Sequence, residues 1–217
     1  MLGAAAGTTS KAHMRTNPFQ DSFLFLIGQT PDHGALGWAK YLLVALYWAL
    51  LVGSVAVAVR VWQRVPMQDD GRTAAVWLMR LLVGTMWFQG SLWKLPLPVS
   101  GGFRYWTEQL AEHSWLPAHA SLVKDVLLPN IHLLDPLVWV TELLLATSLM
   151  LGVGVRFAGL VSAAFTVNLW IGLYHRGDEW PWNYVFLIFL SLFFVLDRAG
   201  ERLGLDALRR EKGARWL

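Results

Sequence analysis

Three ionisable side chains lie in stretches of the chain that are otherwise almost free of charge. Arg80 falls inside Ala74 to Trp93, Lys94 closes that stretch, and Glu142 falls inside Pro136 to Val155. A charge at the centre of a membrane span costs about 2.5–3.5 kcal/mol on insertion scales, so such a residue faces protein, finds a partner or does chemistry. Lys94 and Glu142 together are a proton donor and a proton acceptor. Asn168 adds a neutral amide, His175, Glu179 and Asn183 would form a lid, and Trp87, Trp93, Trp170 and Trp182 offer flat apolar walls. That set suits a quinone ring, which needs stacking surface and donors at its carbonyl oxygens. Catalytic roles fall to Glu142 and Lys94, and ring-binding roles to Asn168, Trp182, Asn183, His175 and Trp93; Gln89 is five residues from Lys94 and off its face. The same residues serve a structural end equally well, a buried Lys–Glu pair and an amide bond fixing helix register. Arg80 stands apart, as a structural polar residue whose neighbours also let it snorkel to the surface.

The elements that would position these groups are membrane helices. Of 217 residues, 55% are hydrophobic and only 15% charged, against roughly 25% charged in an ordinary soluble domain. A span needs about 20 apolar residues at about 1.5 Å each. Five segments meet or approach that length: Tyr41 to Val59, Ala74 to Trp93, Pro136 to Val155, Phe157 to Tyr174, and Trp180 to Leu196. If Pro136 opens the third span, Glu142 lies about 9 Å inside it, a depth that Asn168 and Lys94 share from two other helices. Gly84, Gly90, Gly152, Gly154, Gly159 and Gly172 permit close backbone approach between helices.

Charge gives the orientation. Arg60, Arg64, Arg72, Arg156, Arg198, Arg202, Arg209, Arg210, Lys212 and Arg215 fall on one side of the expected spans, whereas Lys11, Arg15, Lys40, Arg104, Lys124 and Arg176 are spread over the other. Cytoplasmic loops are the basic ones, so the N-terminus is expected outside and the C-terminus in the cytoplasm of a bacterial inner membrane. On the outer face, "HRGDEWPWNY" (His175 to Tyr184) places Trp180, Trp182 and Tyr184 in the interfacial belt, with Pro181 at a helix start where it costs no hydrogen bond. The segment before Asn17 has no apolar core of a cleaved signal, and Met14 offers an alternative start.

Other chemistries find little support. With no cysteine there is no disulfide, CxxC pair, iron–sulfur ligation or covalent haem attachment. The six histidines fall outside the span interiors, leaving no opposed pair for a b-type haem. His113 and His119 are expected as solvated residues of an outer loop, Leu95 to Asp135, and no metal is expected. A net charge of +3 without a basic run excludes a nucleic-acid surface. Nucleotide and hydrolase motifs are absent. Five spans without an inverted repeat argue against a transporter.

The stretches "RLLVGTMWFQGSLWKLP", "GGFRYWTEQ", "LLPN", "ELLLATSLMLGVGVRFAGL", "EWPWNY" and "DRAGERLGLD" resemble the DoxX/DoxD family, the small membrane subunit of thiosulfate:quinone oxidoreductases. The resemblance covers Ala74 to about Ala207. It implies an all-α four-helix membrane bundle, here residues 74–207, preceded by an arm (1–40) and an additional transmembrane helix (41–61) and followed by a basic tail (208–217). Position by position, the family's intramembrane arginine falls on Arg80, its lysine on Lys94, its glutamate on Glu142, and its outer aromatic motif on Trp180, Pro181, Trp182 and Tyr184. It implies electron transfer from thiosulfate to a membrane quinone beside other membrane or periplasmic subunits. The rival expectation is a non-catalytic anchor or assembly subunit of a larger membrane complex.

Overall fold

The computed structural model describes residues 17–34, 36–66, 68 and 70–211. Lys11, His13, Met14, Arg15, Lys212 and Arg215, on which parts of the sequence reading rest, lie outside the described residues. Among the described residues every regular element is helical: α1 (Pro18–Leu26), α2 (Pro31–Gly34), α3 (Ala39–Arg64), α4 (Gly71–Leu92), α5 (Gly101–Glu112), α6 (Pro117–Leu122) running into a π turn (Val123–Leu127), α7 (Ile131–Leu151), α8 (Val155–Leu173), α9 (Pro181–Leu196), a 3₁₀ turn (Ala199–Glu201) and α10 (Leu205–Glu211). Three of them, α3, α7 and α8, are long and apolar enough to cross a membrane. The α9 helix is apolar but has 16 residues, and α4 has 22 with Arg72 and Arg80 among them.

Helix ends follow local chemistry. The Asp70 carboxylate accepts the Thr73 N–H at 2.6 Å to start α4, and the Ser100 hydroxyl accepts the Phe103 N–H at 3.0 Å to start α5, each satisfying an otherwise orphaned donor. Pro181 occupies the first position of α9, as its fixed φ favours. The start of the expected third span differs from the sequence expectation. The α7 helix begins at Ile131 and carries Pro136 inside its second turn; the proline forfeits one backbone bond, and the apolar face running on either side of it keeps the helix intact.

In the bundle α4 packs along α7 and α9 along α8, with α3 and α8 flanking α7. Small residues set the spacing: a Cβ on Gly84 would stand 2.7 Å from Met150 Cγ, and one on Gly159 would stand 2.8 Å from the Ser191 carbonyl. Hydroxyl groups tie the helices where water is excluded. Trp87 Nε1 donates to Ser162 Oγ at 3.2 Å, and Ser162 Oγ meets Ser191 Oγ at 2.8 Å, linking α4, α8 and α9. Ser54 Oγ donates to the Met150 carbonyl at 2.6 Å, linking α3 to α7. Side-chain bonds of this kind contribute about 0.6 kcal/mol each on average between membrane helices.

Arg80 does not snorkel. It is completely buried, donating to the carbonyls of Ala199 at 3.2 Å and Leu203 at 3.4 Å. The chain after α9 folds back under the α7–α8 turn and supplies these acceptors. Asp206 fixes that return, its carboxylate taking the N–H groups of Gly154 (2.9 Å) and Val155 (3.2 Å) while its own N–H donates to the Gly152 carbonyl (2.9 Å). Gly152 has φ +70°, and a Cβ there would run into the Arg80 guanidinium.

Candidate functional site

At the opposite end of α4 the helix finishes at Leu92, and Lys94 turns back over its last turn. Its ammonium donates to the Gly90 carbonyl at 2.9 Å, lies 3.8 Å from the centroid of the Trp93 ring, and stands 2.8 Å from Glu142 Oε2 on α7. The Lys94 and Glu142 side chains are each 4% exposed. The pair is held by distance rather than by a well-aligned hydrogen bond, and by that stricter measure Glu142 Oε2 has no partner; at 2.8 Å between opposite charges in a dry interior, the attraction is what matters. A Cβ at Gly90 would lie 3.6 Å from Glu142 Oε2, an ordinary contact, so this turn of α4 faces the carboxylate.

Asp135, which the sequence reading left in the loop before the third span, belongs to the same cluster. It lies seven residues before Glu142 on one face of α7 and is 0% exposed. Its Oδ2 accepts the Ser100 N–H at 2.9 Å, and Ser100 Oγ donates to the Trp93 carbonyl at 3.1 Å. One polar turn therefore ties the end of α4, the start of α5 and the first turns of α7 together. An i,i+7 pair of acids, Asp135 and Glu142, was the available signal; reading Pro136 as the helix start hid it.

Asn168 sits elsewhere. Its Oδ1 is 3.0 Å from His119 Nε2, and His119 Nδ1 is 3.1 Å from Ser114 Oγ. His119 is buried rather than solvated, because α5 and α6 pack against α8 and carry the ring onto Gly172, where a Cβ would lie 3.0 Å from it. The expected outer loop is thus a folded helical cap. Nothing in the spacing of the histidines announced this, since it depends on the long-range return of the cap onto α8.

The other rim residues lie at the surface. His175 and Asn183 are exposed, and Trp182 is 56% exposed with its ring against Phe186. Glu179 accepts the Tyr184 hydroxyl at 2.8 Å. Arg176 fixes the "HRGDEWPWNY" loop to the cap: it pairs with Asp178 at 2.6 Å, donates to Gln109 Oε1 at 3.1 Å and lies 4.3 Å from the centroid of the Trp106 ring. Its guanidinium holds the Asp178 carboxyl below the usual range. The structure therefore joins Lys94 to Glu142 and places Asn168, His175, Trp182 and Asn183 apart from that pair.

A cleft of about 790 Å³ opens between α1, α3 and α4. Phe25, Leu81 and Leu82 form apolar walls, Tyr47, Thr85 and Gln89 contribute neutral polar groups, and Asp21 and Asp32 contribute carboxylates on the arm side; the Tyr47 hydroxyl is 3.1 Å from Thr85 Oγ1. Gln89 adjoins Gly90, whose carbonyl holds Lys94, so cleft and ion pair share one turn of α4. Among the described residues no group of three or more His, Cys, Asp or Glu side chains is placed to hold a metal ion. No family model, no curated protein and no solved structure matches this chain.

Proposed function

We propose that this chain is a DoxX/DoxD-like integral membrane subunit of a quinone-linked oxidoreductase, built as a four-helix bundle (α4, α7, α8, α9) with α3 as an additional span. The observation that carries the reading is the buried Lys94–Glu142 pair, which joins two helices at the lysine and glutamate positions of the resemblance. The cleft between α1, α3 and α4 fits a quinone ring in size, being within the roughly 300–1,000 Å³ of small-molecule sites. Its polar groups fit as well: the Gln89 amide and the Tyr47–Thr85 hydroxyl pair would donate to the carbonyl oxygens, with Leu81 and Leu82 along the apolar part. A quinone supplies a two-electron, two-proton redox couple when bound. This chain's own residues would position the ring and hold the accompanying proton at the Glu142 carboxyl, with Lys94 holding that carboxyl in place. The natural electron donor of the family is thiosulfate, oxidised by another subunit. The setting is a bacterial inner membrane with the N-terminus outside.

A second reading, a non-catalytic anchor or assembly subunit, is favoured by the outward-facing Trp180, Trp182, Phe186 and Phe189 on and beside α9. These offer lipid or foreign helices a continuous apolar face. The deciding experiment is purification of the chain with its complex in mild detergent, followed by quinone extraction and quinone-linked turnover. Glu142→Gln keeps the side-chain size and loses the exchangeable proton; it should lower turnover by more than tenfold while the complex still assembles. Gln89→Leu should reduce the quinone retained. Parental turnover and retention in both assembled variants would leave the anchor reading in its place.

A further inference from the structure

The α1 helix is held against α3 by three contacts. The Phe25 ring meets Tyr47 edge-on at 4.9 Å between centroids, and the Leu26 carbonyl accepts the Trp48 indole N–H at 2.9 Å. Gly28, at φ +70°, comes so close that a Cβ would stand 2.6 Å from Val44 Cγ2. Val44 to Trp48 lie about 8–14 Å along α3 from its start at Ala39. From Gly28 back to Phe25 the partners move further along α3, so the two helices run antiparallel and the first turn of α1 is the part farthest from the α3 start.

The height of that turn follows from α4. The Tyr47 hydroxyl is 3.1 Å from Thr85 Oγ1, and Trp77 Nε1 donates to Ser54 Oγ at 3.2 Å, so the middle of α4 is level with the stretch of α3 between Tyr47 and Ser54. Asn17, Pro18, Asp21 and Ser22 share their cleft with Leu81 and Leu82, halfway along α4 (Gly71–Leu92). The start of α1 therefore stands near mid-height of the bundle.

Its chemistry suits that depth. Phe19, Phe23 and Ile27 follow one another at i,i+4 spacing and form an outward stripe, 82%, 59% and 39% exposed, while Phe25 and Leu26 pack on the core. Asn17 Oδ1 accepts the Phe19 N–H at 2.9 Å, the Asn17 carbonyl accepts the Asp21 N–H at 2.9 Å, and Pro18 has no N–H to leave unpaired. Ser22 Oγ donates to the Pro18 carbonyl at 2.8 Å. Gln20, exposed beside the stripe, is uncharged. Asp21, the one charged residue of α1, lines the cleft, as an ionisable group at membrane depth faces a cavity rather than lipid.

We propose that α1 is a half-helix embedded in the membrane beside α3, with Phe19, Phe23 and Ile27 against acyl chains, and not an arm lying in water. At mid-height of a bundle that crosses the membrane, lipid is the solvent that covers such a stripe. This placement rests on α3 and α4 being membrane spans, and it goes beyond the quinone reading because no contact that sets it involves a ligand. The cleft behind α1 is then intramembrane at its Leu81–Leu82 end.

Nitroxide labelling of the full chain in phosphatidylcholine vesicles tests this, since there is no native cysteine to replace. Phe19→Cys, Phe23→Cys and Ile27→Cys are compared with Val52→Cys, on the exposed face of α3, and Ala118→Cys, on the cap. All five positions are exposed, so the core is left intact. Collision rates are read with oxygen, which concentrates in hydrocarbon, and with a water-soluble nickel chelate. The oxygen-to-nickel ratio at Phe19→Cys and Phe23→Cys should be several-fold above that at Ala118→Cys, should approach that at Val52→Cys, and should fall in the order 19, 23, 27. Nickel-dominated values at 19 and 23 beside an oxygen-dominated Val52→Cys would put α1 in water and overturn the proposal. Low rates with both reagents would overturn it too, by showing the stripe covered by a second copy of the chain, and so would a ratio rising from 19 to 27. A nickel-dominated Val52→Cys would instead remove the membrane span itself, and the placement of α1 with it.

Discussion

Lys94 reaches back along its own helix and out to the next, its ammonium 2.9 Å from the Gly90 carbonyl and 2.8 Å from Glu142 Oε2. A single side chain thus ends α4 and joins it to α7 where water is absent. Breaking a buried ion pair by removing one partner costs about 3–5 kcal/mol, whereas replacing both with apolar groups often costs far less. Lys94→Met, which strands Glu142, should lower stability by an amount in that range. The double variant Lys94→Met/Glu142→Leu should recover part of the loss. Glu142→Gln should be milder than Lys94→Met, since the Gly90 carbonyl and the Trp93 ring still face the ammonium. Thermal unfolding in one detergent measures all of these, and strictly additive losses would remove the coupling.

Arg80 plays the corresponding role at the other end, but its partners are backbone carbonyls of Ala199 and Leu203 rather than a side chain. A guanidinium reaches two acceptors at once in a way a lysine cannot. Arg80→Lys should therefore leave at least one buried carbonyl unpaired, at about 1–3 kcal/mol, and Arg80→Met should leave both. The expected signature is local: faster proteolytic cleavage within 197–211, while α7 and α8 remain protected. Unchanged cleavage there, with global destabilisation instead, would mean that the C-terminal return is held without Arg80.

The helices were largely legible because membrane spans declare themselves by length and apolarity, and α3, α7 and α8 needed nothing more. Arg80, Lys94 and Glu142 were legible for the same reason, as charges in the wrong solvent. The partners were harder. Lys94 with Glu142 required only equal depth on two helices, but Asn168 satisfied that condition too and pairs with His119. Depth along a helix does not fix which way a side chain faces, and the folding of the 95–135 segment into α5, α6 and the π turn is set by contacts with α8 distant in sequence. Trp182 and Asn183 fit an interfacial rim by composition, and an interfacial residue faces outward as readily as inward.

His33 gives the arm a pH dependence of definite sign. It is 1% exposed, with Nδ1 2.6 Å from Thr30 Oγ1. Burial pushes its pKa below the ordinary imidazole value, with Asp32 opposing the shift and Lys40 adding to it. A folded value below the unfolded one means that the undocked arm binds more protons, so docking is fully supported above the unfolded value and is lost as pH falls through it toward the lowered one. Burial raises the Asp32 carboxyl, which acts in a more acid window. Hydrogen exchange across 18–34, corrected for intrinsic rates, should show protection falling as the pH drops below the ordinary imidazole value of about 6.5. His33→Gln should flatten that profile. A flat profile in the parental chain would mean that the imidazole does not hold the arm.

Orientation is open to a direct test because the chain has no cysteine of its own. Ten basic residues fall at the Arg80 end or beyond it and six at the Lys94 end, the arm or the cap, and short basic loops stay in the cytoplasm. Ala118, at the start of α6, and Arg209, on α10, are both exposed, so a cysteine at either is accessible without disturbing the core. In intact cells Ala118→Cys should react with a membrane-impermeant thiol reagent and Arg209→Cys should not; after permeabilisation both should react. This arrangement would place the cap and the Lys94–Glu142 pair toward the outer leaflet, where a partner subunit outside the membrane can reach them, and the Arg80 return toward the cytoplasm. Labelling of Arg209→Cys but not Ala118→Cys in intact cells would invert the chain, put the Lys94 end on the cytoplasmic side and remove an external electron donor from the proposed function.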